Sequence, residues 1–169
     1  MEFLEKDLEE IIYLSDKDKL SDKGLYLHGN LKRQFKIGNY GICDLIEFKR
    51  PYCMGKTCFK GEINIIELKK EKIGVSTFFQ AINYMRGIQS YLDKRDIQHL
   101  FNYKITLIGR QVDINSSFCY LGNILWSELD MTNIYDESKF CVELYKFSYD
   151  IDGVEFKQIS GYKLINEGF

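Results

Sequence analysis

Apolar residues recur in this chain at two spacings, and the switches between them divide it into elements. Leu4, Leu8 and Ile11 fall three and four apart, which predicts a helix over residues 3–14, with Glu5 and Glu9 one turn apart beside the stripe. The polar stretch SDKDKLSDKG ends in glycine and reads as a loop. LKRQFKIGNYGICDLIEFK reads as two strands joined by a tight turn at Gly38-Asn39-Tyr40-Gly41. A Cys- and Gly-bearing loop after Pro51 leads into a third strand, GEINIIELKK. Gly74 breaks the pattern, and STFFQAINYMRGIQSYLDKR is the clearest helix, with Phe78, Ile82, Met85, Ile88 and Leu92 in helical phase. YKITLIGRQVD is a further apolar strand. From SFCYLGNIL onward strands and turns dominate, including KFCVELYKFSYDIDGVEFKQI with a hairpin signal at Asp152-Gly153.

The order helix, three strands, helix, strand, then a strand-rich tail predicts a mixed α/β domain. At 169 residues the chain reads as one domain, with a core over about 3–125 and a strand-rich extension over about 126–169. A 45% hydrophobic content with a single proline excludes a disordered chain. The acidic, amphipathic start MEFLEKDLEEII lacks the basic region of a secretory leader, and no apolar run approaches the roughly 18 residues of a membrane span. A cytoplasmic protein without a membrane partner is expected. The five cysteines, at 43, 53, 58, 119 and 141, show no C-x-x-C spacing, and His28 and His99 lie far apart in sequence. Free thiols are therefore expected rather than a zinc site, which needs about four ligands.

Net charge is −2, but its distribution is uneven. Residues 1–22 hold eight acids against three bases and residues 128–169 hold nine against four, leaving 16 bases and eight acids between them. A basic centre between acidic ends suits either an ordinary solvated surface or a footprint for phosphates.

The candidate chemistry lies in INIIELKK. Side chains alternate along a strand, so Ile63, Ile65, Glu67 and Lys69 share a face, and the glutamate and lysine emerge side by side where the strand leaves the core. Upstream, ICDLI places Asp44 on another apolar strand, on the face of Ile42 and Ile46, with Cys43 on the opposite face as a small core residue. An ionised aspartate there costs several kcal/mol if unpaired. A hard cation such as Mg²⁺ relieves two neighbouring carboxylates and keeps waters for chemistry. A lysine beside it would hold an attacking water or stabilise charge developing on a phosphate.

In Asp44 followed by Glu67-Leu68-Lys69, the chain resembles the PD-(D/E)XK nuclease superfamily, of restriction-endonuclease-like fold. Gln80-Ala81-Ile82-Asn83-Tyr84 is similar to the Q-x-x-x-Y motif of its RecB-like and archaeal branches. Arg33-Gln34 and Gly41-Ile42-Cys43-Asp44-Leu45-Ile46 are similar to their "RQ … G-x-x-D-L-[IL]" strand. The resemblance spans residues 3 to about 110. It implies an αβββαβ core and a Mg²⁺- or Mn²⁺-dependent nuclease, acting on DNA, that leaves a 5′-phosphate. Asp44, Glu67 and the Leu68 carbonyl would hold the metal, and Lys69 would orient water. Glu9, or Glu5 in its place, would join from the first helix. Gln80 and Tyr84 would brace the site or touch the DNA backbone. Arg33, Gln34 and Lys70 are expected at nucleic acid. A homodimer or larger nucleoprotein assembly is a further expectation, with the Tyr/Phe-rich tail 140–162 as an interface edge. The proline of the family's P-D pair is absent, Cys43 standing in its place.

Plainer roles stand beside these. Glu5 and Glu9 suit a helix N-terminus, Gln80 closes a T-x-x-Q capping box with Thr77, Tyr84 packs, and Asp44 pairs with Lys69 without a metal. His28 and His99 need no role. The alternative function is a nucleic-acid-binding or assembly module that keeps the fold without turnover.

Overall fold

A computed structural model describes residues 3–113 and 133–159. SFCYLGNIL, Cys119, the expected boundary near 125 and the end of the 140–162 tail lie outside these residues. Helix α1 spans Glu5–Leu14 and α2 spans Lys17–Asp22. Strands β1 (Asn30–Ile37), β2 (Gly41–Lys49), β3 (Tyr52–Met54), β4 (Thr57–Phe59) and β5 (Gly61–Ile73) precede the long helix α3 (Val75–Asp93). A 3₁₀ turn at Gln98–Leu100 leads into β6 (Phe101–Val112), and β7 (Phe140–Asp150) and β8 (Gly153–Ile159) follow. Six strands form one mixed sheet in the order β1-β2-β5-β6-β7-β8, while β3 and β4 pair apart from it. β6 is parallel to β5 and β7 to β6; the other neighbours in the sheet are antiparallel. No helix among the described residues is long and apolar enough to cross a membrane.

Each sheet face carries its own core. Ile46, Ile63, Ile65, Leu107 and Leu144 pack with Phe78, Ala81, Tyr84, Met85 and Ile88 of α3. Leu45, Ile66, Leu68, Ile108 and Tyr145 pack with Leu8 and Ile12 of α1 and Leu20 of α2. The mixed α/β expectation therefore holds, as do the turn at residues 38–41 and the hairpin at Asp152-Gly153, where Gly153 takes φ +105°.

Five local readings are corrected. The polar stretch after α1 is not all loop, because Leu20 anchors a short helix by burying against Leu25 and Leu27. The buried stripe of α1 is Leu8 and Ile12, with Leu4 half-exposed, so the helix is rotated and Glu9 comes onto its buried side. The loop after Pro51 is a small hairpin reversing at Gly55 (φ +61°). Within it Cys53 and Cys58 stand directly opposite, with Cα atoms 4.0 Å apart, and form a disulfide rather than free thiols. Cys43 and Cys141 are free thiols, as expected, and both are buried, Cys43 as the small core residue the sequence implied. The helix expected at residues 76–95 begins at Val75 with Gly74 as its N-cap, so Thr77 is not a cap and pairs with Gln80 in no capping box.

On the α1 side, a polar network ties four strands. Glu47 accepts from the backbone N–H groups of His28 (2.6 Å) and Gly29 (2.5 Å) and from Asn64 Nδ2 (2.9 Å). Asn64 accepts in turn from Thr106, while Lys104 pairs with Glu143 (3.2 Å) and Glu62 (3.8 Å). Burial disfavours the Glu47 charge, but these donors and Lys104 outweigh it and hold its carboxyl below the ordinary carboxylate range.

α3 is seated on the β1–β2 turn by two glycines. A Cβ on Gly41 (φ +125°) would lie 2.8 Å from the Tyr84 ring, and one on Gly87 would lie 2.6 Å from the Tyr40 ring. Tyr84 thus fills space that only a glycine leaves open. Tyr84→Ala should cost about 3–5 kcal/mol in urea denaturation, whereas Tyr84→Phe should cost less than about 1.5 kcal/mol. Equal losses in the two variants would contradict the packing role.

Candidate metal centre

The site forms where two strands part. β2 and β5 pair in register from Lys49 opposite Glu62 to Leu45 opposite Ile66. The next opposed residues are Asp44 and Glu67, and there the ladder stops. Side chains take over the backbone bonds: Leu68 N–H donates to Asp44 Oδ2 (2.9 Å), and Asp44 N–H donates to Glu67 Oε1 (3.3 Å). One step on, Lys70 N–H donates to Glu5 Oε2 on α1 (3.0 Å). Freed backbone donors on β5 are thus capped by carboxylates from β2 and α1, which satisfies polar groups that would otherwise be buried unpaired.

The parting has a local cause. Gln34 lies across from Asp44 on β1 and has φ +48°, and the β1–β2 register passes over that pair. Alternation slips by one there: Cys43 and Ile46 belong to the α3 core, while Leu45 belongs to the α1 core. Contrary to the sequence expectation, Asp44 therefore does not share the face of Ile46, because Ile46 belongs to the α3 core; Ile42 is half-exposed, and Asp44 lines a cleft of about 450 Å³ with Glu5, Lys6, Glu9 and Gln34. Glu9 is nearly buried and accepts from Gln34 Nε2 (2.5 Å). Lys69 Nζ stands 4.0 Å from Glu5 Oε1 and makes no ion pair with Asp44.

The structure thus brings Asp44, Glu67, Lys69, Glu5, Glu9 and Gln34 into one neighbourhood. Glu5, named second in the sequence reading, is tied directly to the β5 backbone and to Lys69. Glu9 is engaged by Gln34 instead. Helix capping belongs to Asp7, whose Oδ2 accepts from Leu4 N–H (2.7 Å). Arg33 lies beside Gln34 with its guanidinium 5.1 Å from the Tyr13 ring centre. Gln80 and Tyr84 bond to each other (2.9 Å) and neither bonds to a carboxylate of the site. Lys6 in the cleft was missed from sequence, although it follows Glu5 on an exposed helix face; Gln34, expected at nucleic acid, lines the cleft and bonds Glu9 instead, and its left-handed backbone had no signal.

Electrostatics single out Glu67, which is 1% exposed. Burial, and then the adjacent Asp44 charge, push its carboxyl up to about 8. Asp44 is also raised, mainly by burial, against the pull of the Leu68 N–H and Lys69. Two carboxyl groups here share too little positive charge. Among the described residues no set of three or more His, Cys, Asp or Glu side chains is gathered to hold a metal alone. The donor set nonetheless fits Mg²⁺ or Mn²⁺, since Mg²⁺ is commonly held by one or two carboxylates and keeps several waters. Asp44 and Glu67 would supply the carboxylates and Leu68 a backbone carbonyl.

Comparison with family models, curated proteins and solved structures found no match.

The raised Glu67 carboxyl has a stability signature. The unfolded chain releases this proton near 4.5 and the folded chain near 8, so between these values the folded state holds the extra proton. Stability of the metal-free protein should therefore fall as pH rises from about 4.5 to 8, by on the order of a few kcal/mol, and then level off. Glu67→Gln should flatten this stretch of the melting profile and melt above the parent at pH 8. A parent profile with no such fall would contradict the reading.

Proposed function

We propose that the protein is a nuclease of restriction-endonuclease-like fold that uses Mg²⁺ or Mn²⁺ to hydrolyse phosphodiester bonds, with DNA as its substrate. The observation that carries this reading is the opposed pair Asp44 and Glu67, buried together at the point where β2 leaves β5, with Lys69 two residues further on. The element order, in which three antiparallel strands lead through a helix to a parallel fourth, supports the fold.

A bound divalent cation would supply Lewis-acid stabilisation of the phosphate and a more acidic water. Asp44 and Glu67 would hold it, their mutual repulsion relieved by its charge. Lys69 keeps its ammonium near the carboxylates without a short ion pair, so it remains available to orient the attacking water or to stabilise charge on the phosphate. Glu5 limits where that ammonium can sit and fixes the β5 backbone at Lys70, next to the Leu68 carbonyl. Gln80 and Tyr84 act at one remove, by seating α3 over Gly41, three residues before Asp44. A binding module without turnover fits less well, because such a module has no use for buried carboxyl groups whose proton affinity is raised by burial and by neighbouring carboxylates.

The test is a cleavage assay on plasmid, linear duplex, single-stranded DNA and RNA with Mn²⁺ or Mg²⁺ and with chelator. Metal-dependent cleavage is expected, abolished by Asp44→Asn and reduced about 10²–10³-fold by Lys69→Ala. Metal should also raise the melting temperature, by the equivalent of about 2.7 kcal/mol at roughly one hundred times Kd, and Asp44→Asn should remove that gain. Cleavage that persists undiminished in Lys69→Ala would overturn the assignment.

A further inference from the structure

Among the described residues one covalent cross-link, Cys53–Cys58, lies outside both the main sheet and the proposed chemistry. It ties β3 to β4, strands of three residues each that pair with one another and with no strand of the six. A two-stranded hairpin by itself is at best marginally stable in water. Beside the cross-link, a ring contact between Tyr52 and Phe59 (5.1 Å between centres) joins its strands. The rest of its hold lies at its foot. Ile134 N–H donates to the Cys58 carbonyl (2.9 Å), and Phe59 bridges Asn133. The buried Lys60 ammonium, two residues on, donates to the carbonyls of His99 and Ile134. Cys58 therefore holds β3 through its sulfur and residue 134 through its carbonyl.

Three features separate this bond from a staple of the whole fold. Cross-links stabilise most when they close long loops, and these cysteines are only five residues apart, so opening the bond acts locally. Exchange needs a thiolate to reach a disulfide sulfur, and Cys53 is exposed while Cys58 is partly so. The other described cysteines, Cys43 and Cys141, are buried free thiols. Neither can reach the hairpin in the folded chain, so among these four the reduced pair can reclose only on itself.

We propose that Cys53–Cys58 is a thiol-exchange site, opened by small thiols of the glutathione class and reclosed by their disulfides, whose state sets how firmly residues 133–136 are held. A small thiolate attacks the Cys53 sulfur, the sulfur–sulfur bond breaks, and the electron pair leaves on Cys58, which takes a proton. A second thiolate attacks the small-molecule sulfur of the mixed disulfide, which releases the oxidised small disulfide and leaves Cys53 to take the second proton. Two small thiols are oxidised and the protein bond is reduced by two electrons. The inference does not depend on the nuclease reading.

The test holds the full chain in native buffer with or without reduced glutathione, blocks free thiols with an alkylating agent and maps the label by peptide mass. Amide hydrogen exchange is followed in parallel samples. Label is expected on Cys53 and Cys58 only after glutathione, and on neither Cys43 nor Cys141. The Ile134 amide should then exchange about tenfold faster or more, while Ile65 and Ile105 in the sheet stay protected, and oxidised glutathione should restore the slow rate. Cys53→Ser/Cys58→Ser should exchange at Ile134 like the reduced parent and ignore glutathione; if its sheet amides show that it does not fold, the two states of the parent decide alone. Label on Cys53 and Cys58 before any glutathione, a bond that opens only after denaturation, or an Ile134 rate equal in both states would each overturn the proposal.

Discussion

The candidate metal centre and the chemistry proposed for it follow from the loss of one stretch of backbone pairing. β2 and β5 run as an ordinary antiparallel pair until Leu45 and Ile66, and then separate. A strand in a core cannot shed its partner without replacing the lost hydrogen bonds. Asp44 and Glu5 replace them on the β5 side, and Glu67 receives the N–H that β2 would have given to a backbone carbonyl. The same bonds that make the parting tolerable draw carboxyl groups into one gap.

That arrangement is costly for the metal-free chain. Burial raises the proton affinity of both Asp44 and Glu67; the Asp44 charge adds to it at Glu67, the Glu5 and Glu9 charges add to it at Asp44, and Lys69 only partly offsets them. A structural role for the pair leaves this unexplained, because an apolar pair or a closed ladder would serve the core better. A dication turns the same geometry into a favourable one. The contrast with Glu47, three residues along β2, is instructive. Glu47 is equally enclosed, yet three hydrogen-bond donors and Lys104 depress its proton affinity, so it is a settled structural carboxylate. Two acids on one strand are sorted by what surrounds them.

Much of this was legible in the sequence. Apolar periodicity placed every long element, because strands of alternating Ile and Leu and a helix with Phe78, Met85, Ile88 and Leu92 in phase have few other solutions. Asp44 and Glu67 stood out because acids inside apolar strands demand compensation. What the pattern could not show were features set by three-dimensional packing. The left-handed backbone of Gln34 shifts the alternation at Asp44, and nothing in a glutamine announces it. The rotation of α1, which puts Ile12 rather than Leu4 inside, depends on how the helix meets β5. Cys53 and Cys58 read as thiols because only the hairpin at Gly55 brings them opposite one another.

The central claim is that the gap between β2 and β5 is a binding place for a hard dication. Diffraction from crystals grown with Mn²⁺, with data collected to locate its anomalous signal, tests this most directly. The account predicts a peak between the Asp44 and Glu67 carboxyl groups, within bonding distance of both and of the Leu68 carbonyl. A gap without such a peak at saturating Mn²⁺, with the two carboxyl groups still hydrogen-bonded across it as they are here, would contradict it.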